Sequence, residues 1–202
     1  MAEFDRSEAG KARRAKLFVI ATGTLSTAHL PFWLNWLSAN RPHFAVTVGL
    51  TESARNFVSP TALAALTKSP VAANSWNAPS GELRPVHTEI ATAYDGILVY
   101  PASVSFLSGL ASGSGASPFL LAALGTKGPV VIAPSFPPGV ADNPIIGDAL
   151  ARIRSVPNYH IVTPRKGKSR SLDTETDVAA PLWDAIGIYE SAVDAATQSA
   201  SA

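Results

Sequence analysis

Two rhythms of apolar positions run along this chain. Short, largely β-branched apolar runs occur at Leu17 to Thr22, Phe44 to Leu50, Ile97 to Tyr100, Val130 to Ala133 and Tyr159 to Val162. They are too short for buried helices and read as parallel strands covered on both faces. Between them the spacing becomes helical: Leu25, Ala28, Phe32, Trp33, Trp36 and Leu37; Ser59-Pro60 through Leu66, with proline at its favoured first position; and Phe119 to Leu124. Two further stripes follow, Ile145, Ile146, Ala149, Leu150 and Ile153 after Asn143-Pro144, and Leu182, Ile186, Tyr189 and Val193 within Ala179 to Ala196. Pro31 falls inside the first helical pattern, so that helix has an irregular first turn or begins late. About five or six strands alternating with helices predict an α/β fold, a Rossmann-like doubly wound parallel sheet with right-handed crossovers.

The chain of 202 residues, 47% hydrophobic and 15% charged, suits a single domain over 16–202. Residues 1–15 are polar, lack an apolar signal region and are expected as a disordered leader. No run of about 18 apolar residues is present, which points away from a membrane and toward a cytoplasmic protein. A net charge of +1 without a basic stripe disfavours nucleic acid. The absence of cysteine removes disulfides, thiolate metal sites and a cysteine nucleophile, and four scattered histidines without a short spacing predict no metal. The chemistry therefore needs another electron sink.

Candidate chemistry gathers after the strands. Gly23, Thr24 and Ser26 follow the first, where a small-residue loop leading into a helix offers amides and hydroxyls to an anion; without a complete phosphate-loop pattern it also reads as an ordinary turn. Thr51 follows the second strand and either caps the next helix or donates to a phosphate. Pro101, Ala102 and Ser103 follow the central strand, at the edge where open α/β sheets bind ligands. His87 precedes that strand at the end of a long connection over 74–86, placed to face the same crevice. Pro134 to Gly139 forms a stiff loop at the same edge. Thr163 to Thr176 is a polar, mostly basic stretch expected as a solvated loop able to close over an acidic ligand.

Taken in order, GTLST after strand one, LTESARNFVSPTALAALT after strand two, HTE before DGILVYPASVSF, and VVIAPS resemble the homo-oligomeric flavin-containing cysteine decarboxylases. That family includes peptidyl-cysteine decarboxylases of lanthipeptide, linaridin and thioamide peptide biosynthesis, together with phosphopantothenoylcysteine decarboxylase. The resemblance spans about residues 16–164. It implies FMN as cofactor, with FAD possible in principle, and Gly23, Thr24, Ser26 and Thr51 as phosphate ligands. His87 matches the family's active-site histidine. Pro101-Ala102-Ser103-Val104-Ser105-Phe106 matches the PASANT motif that holds the flavin ring and the substrate carboxylate.

Ser105 stands where that motif has asparagine; it offers one hydroxyl in place of an amide, so it donates to a carboxylate without bridging two partners. Ser105 is thus read as both catalytic and substrate-binding. The family's PxMNxxMW motif is replaced by Pro134 to Val140, which makes Ser135 and Phe136 the substrate-binding candidates there. The resemblance implies oxidative decarboxylation of the carboxy-terminal cysteine of a ribosomally made precursor peptide: thiol oxidation to a thioaldehyde with flavin as acceptor, then loss of carbon dioxide to an aminoenethiol. The cysteine that reduces the enethiol in bacterial phosphopantothenoylcysteine decarboxylases is missing, which favours release of the oxidised product. The alternatives are a phosphopantothenoylcysteine decarboxylase-like enzyme and a non-catalytic flavin-fold regulatory protein. The family also implies a homotrimer or a dodecamer of trimers, with the Trp-rich first helix and the Phe106–Leu107 region as contact surface.

Overall fold

The computed structural model describes residues 14–77, 85–169 and 173–200. Six parallel strands, β1 (Ala15–Ala21), β2 (Phe44–Leu50), β3 (Ala72–Ala73), β4 (Gly96–Ala102), β5 (Val130–Pro134) and β6 (Tyr159–Ile161), form one sheet in the order β3-β2-β1-β4-β5-β6. The order reverses between β1 and β4, the position at which a doubly wound sheet opens a crevice beyond its carboxyl ends. The predicted fold class is observed.

Strand alternation explains the two cores. Leu17, Val19 and Ala21 of β1, Leu98 and Tyr100 of β4, and Val131 and Ala133 of β5 are buried on one face. This face is covered by α1 (Leu30–Asn40), α2 (Pro60–Thr67) and α7 (Leu182–Ala200). Phe18, Ile20, Ile97, Val99, Val130 and Ile132 face the other way, under α3 (Val86–Ala93), α4 (Val104–Ala111), α5 (Pro118–Gly125) and α6 (Pro144–Arg154). Burial on both faces is why these strands read as continuous apolar runs.

Several expectations change. Residues 25–29 form a 3-10 turn, and α1 begins at Leu30 with Pro31 in its first turn, because proline has no N–H to give the preceding turn. Its buried side chains are Leu30, Leu34 and Leu37; Leu25 and Phe32 are 56% and 61% exposed. On α6, Ile146 and Ile153 are buried but Ile145 is 75% exposed, so the predicted stripe is narrower. Helix α4 was missed, since its serines and glycine hide an apolar face of Phe106, Leu107 and Leu110. These residues lie in the core, and the expected contact surface at Phe106 and Leu107 is not one.

The stretch expected as a basic loop is an antiparallel hairpin of β7 (Arg165–Lys168) and β8 (Glu175–Val178). Among the described residues its cations are engaged: Arg165 with Asp184 at 2.7 Å, Lys166 with Asp177 at 3.1 Å and Lys168 with Asp173 at 2.6 Å. The leader expected over 1–15 lies outside the described residues except Arg14 and Ala15, and Ala15 already pairs with Phe44 in β1. Most of the 74–86 connection also lies outside them. Among the described residues, no helix is long and apolar enough to cross a membrane.

Candidate active site

Thr22, buried at the end of β1, joins the two strands that flank the crevice. Its hydroxyl donates to the Pro101 carbonyl at 2.7 Å and accepts the Ser103 amide at 2.7 Å. The Thr27 hydroxyl donates back to the Thr22 carbonyl at 2.6 Å, closing the loop after β1. Sequence reading placed Thr22 at a strand end and gave it no role; the available signal was a hydroxyl ending a buried apolar run.

Gly23 follows, where an added Cβ would lie 2.3 Å from Ser53 Oγ and 2.5 Å from Ser53 Cβ. Only glycine lets the loop after β1 approach the loop after β2 this closely. The Thr51 amide donates to the Ala21 carbonyl at 3.1 Å, and the Thr51 hydroxyl lies 3.4 Å from both that carbonyl and Ser53 Oγ. The capping role weighed for Thr51 is not observed: Glu52 occupies the cap of the following 3-10 turn, which has no side-chain cap bond. Thr24 heads the turn over Leu25–His29, and its Oγ is buried without a partner. A buried hydroxyl with no acceptor or donor costs stability, so its natural complement is a ligand atom.

The central strand supplies the floor. Its ladder to β5 slips between Val99 and Ala102, across Pro101, which has no amide to donate. The Ala102 carbonyl accepts the Ser135 amide at 3.0 Å. Ser103 caps α4, its hydroxyl accepting the Phe106 amide at 3.4 Å. Ser26 Oγ lies 3.5 Å from Ser135 Oγ, so a predicted phosphate ligand and a predicted substrate ligand share one spot.

The structure thus brings together Gly23, Ser26, Thr51, Pro101, Ala102, Ser103 and Ser135. Among the described residues, His87 and Ser105 make no hydrogen bond to this cluster. Ser105 is exposed on the first turn of α4. His87 is the second residue of α3 and does not cap it, since Pro85 holds that position. Because α3 ends at Ala93, just before β4, its amino end must point back toward the carboxyl edge of the sheet. The His87 Nδ1 is buried and has no partner, and its ring meets Trp76 edge-on at 5.5 Å. Phe136 does not present its ring to the crevice. That ring is buried in the core, the Phe136 amide donates to the Asp177 carbonyl at 2.7 Å, and its carbonyl accepts the Thr176 hydroxyl at 2.6 Å. Cavities of about 670 Å³ along α7 and about 480 Å³ at the amino ends of β1 and β2 are lined by none of the predicted site residues.

A 3-2-1-4-5-6 sheet with glycine and hydroxyls in the turns at its point of reversal defines a nucleotide-cofactor-binding α/β protein. The unpartnered Thr24 hydroxyl and the close approach at Gly23 fit the phosphate end of a flavin. The Flavoprotein family matches residues 5–186, and this chain belongs to it. It is 32% identical over 167 residues to the cypemycin cysteine dehydrogenase (decarboxylating) of Streptomyces sp, covering 82% of this chain and 85% of that protein. The crystal structure of the cypemycin decarboxylase CypD is similar, with a TM-score of 0.74 and 28% identity over 90% of this chain and 95% of the other. The FMN-dependent cysteine decarboxylase SpaF shares the fold at a TM-score of 0.78 and 21% identity, over 92% of this chain and 98% of that one.

Proposed function

We propose that this protein is an FMN-dependent peptidyl-cysteine decarboxylase acting on the carboxy-terminal cysteine of a ribosomally made precursor peptide, in the cytoplasm, to give an aminoenethiol. The observation that carries the reading is His87: a ring with a buried, unpartnered Nδ1 on the first turn of a helix directed at the crevice edge. Similarity to a relative named as a decarboxylating cysteine dehydrogenase supports the substrate class.

Gly23, Thr24, Ser26 and Thr51 would hold the phosphate, through the orphaned Thr24 hydroxyl and the neighbouring turns. Pro101, Ala102 and Ser103 would present backbone to the ring from a floor held by Thr22 and Ser135. When bound, flavin supplies a two-electron acceptor. His87 takes the thiol proton of the substrate. Ser105, exposed on the first turn of α4, donates its hydroxyl to the substrate carboxylate. Phe136 is a positioning residue: its anchored backbone sets the loop that carries Ser135. A homotrimer, or a dodecamer built from trimers, would bury the apolar surface left by Leu25, Phe32 and Trp183.

The test uses the purified protein. Its visible spectrum should show bound oxidised flavin, and a cysteine-terminated peptide incubated with it should lose carbon dioxide and two hydrogens by mass. A flavin-loaded protein that leaves every such peptide intact would defeat the reading.

A further inference from the structure

We propose that Trp76 is a positioning residue for His87, holding the imidazole in its working orientation; this rests on the function proposed for His87 above. An imidazole on the first turn of a helix can turn about both side-chain torsions unless something fixes it. Hydrogen bonding does not fix Nδ1, because that atom is buried without a partner. Capping does not fix it either, because Pro85 is the cap and no side chain bonds there. Among the described aromatic side chains, the Trp76 indole meets the ring, at a centroid distance of 5.5 Å and an interplanar angle of 69°, the edge-to-face geometry that aromatic rings prefer.

Trp76 is itself held from behind. Two residues earlier, the Asn74 amide donates to the Leu50 carbonyl at 3.3 Å, and Asn74 Oδ1 accepts the Phe119 amide at 3.0 Å. The chain leaving β3 is therefore pinned between the end of β2 and the first turn of α5 before the indole is presented. The indole is 53% exposed, so most of its surface is not used in the core, and its described aromatic contact is with His87. A large, half-exposed ring set edge-on against an imidazole that has no hydrogen bond among the described residues acts on that imidazole's orientation. Misorienting a reacting group costs rate while leaving cofactor binding at the Gly23 end untouched.

The experiment compares Trp76→Leu and Trp76→Phe in the wild-type holoenzyme and in the His87→Asn background, with conversion of a cysteine-terminated peptide as readout. Trp76→Leu should lower kcat by about 10-fold or more with flavin content and KM retained, and Trp76→Phe should recover most of the rate. In the His87→Asn background, Trp76→Leu should have no further effect, since residues acting through one another are not additive. Independently of turnover, the histidine ring resonance that disappears in His87→Asn should move in Trp76→Leu and return toward its original position in Trp76→Phe. An equal rate loss in both backgrounds, a rise in KM alone, or an unmoved resonance would overturn the proposal. Near-wild-type turnover by His87→Asn would instead bring down the role assigned to His87, and that outcome is read from the single variant.

Discussion

The Thr22 hydroxyl and the Ser103 amide meet at 2.7 Å across 81 residues of sequence, while the same hydroxyl donates to the Pro101 carbonyl at 2.7 Å. With the Thr22 amide, which donates to the same carbonyl at 3.3 Å, this side chain ties together the two loops between which the proposed cofactor site lies. Thr22→Val keeps the shape and removes both hydroxyl bonds; the Ser103 amide is stranded, while the Pro101 carbonyl still accepts the Thr22 amide at 3.3 Å. Stability should fall by about 1–3 kcal/mol in chemical denaturation, the cost of one stranded buried group. Flavin content on purification should fall with it. Unchanged stability would mean that water replaces the hydroxyl.

Gly23→Ala tests the approach of the first two loops. The new Cβ would meet both Cβ and Oγ of Ser53, so rotating the Ser53 hydroxyl away is not enough, and the loops must part. Flavin affinity should drop by about 10-fold, roughly 1.4 kcal/mol. Adding Ser53→Gly removes both atoms and should restore much of it, as measured by flavin titration of the apoprotein. If the second substitution gives no rescue, the crowding is not what sets affinity.

His87→Asn should leave a yellow, folded protein that has lost about 100-fold or more in the rate of carbon dioxide loss, the scale expected for removing a general base. Asparagine retains hydrogen-bonding shape but lacks a basic nitrogen. Mass spectrometry of the peptide follows the reaction. Loss of flavin from this variant would place His87 in the cofactor site instead.

Burial first, and then the nearby Asp95 carboxylate, push the Tyr189 phenol up to about 12. Burial and Asp184 raise Tyr100 as well. A phenol that holds its proton more tightly when folded contributes stability that is complete below about pH 10, the unfolded value, and is lost as pH rises through the folded one. Denaturation midpoints should fall between about pH 10 and 12, and less steeply in Tyr189→Phe. At neutral pH this variant should be as stable as wild type or up to about 1 kcal/mol more so, because the Tyr189 hydroxyl is buried without a partner. A marked loss at neutral pH would show that the hydroxyl is engaged.

The strands and their order of appearance were legible in the chain because burial on both faces leaves an uninterrupted apolar run, as in Ile97 to Tyr100 and Val130 to Ala133. The edge that carries the candidate residues was legible too, since glycine, proline and hydroxyl residues follow those runs directly. What escaped was whatever depends on a distant partner. The 165–178 hairpin looked like a solvated loop because its pairing is set by ladder contacts and by Phe136. Helix α4 hid behind serines whose opposite face is core.

Local periodicity and turn chemistry by themselves therefore determined the α/β class, the parallel sheet and the candidate residues Gly23, Thr51, His87 and Pro101. Tertiary structure alone decided that Thr22 is the staple, that the Phe136 ring is core rather than substrate contact, that Phe106 is core rather than subunit surface, and that Trp76 stands against His87. The physical reason is that period and composition report which face of an element is buried. Whether a given hydroxyl or ring finds its partner depends on loops separated by tens of residues, which meet only when the sheet has assembled around the reversal between β1 and β4.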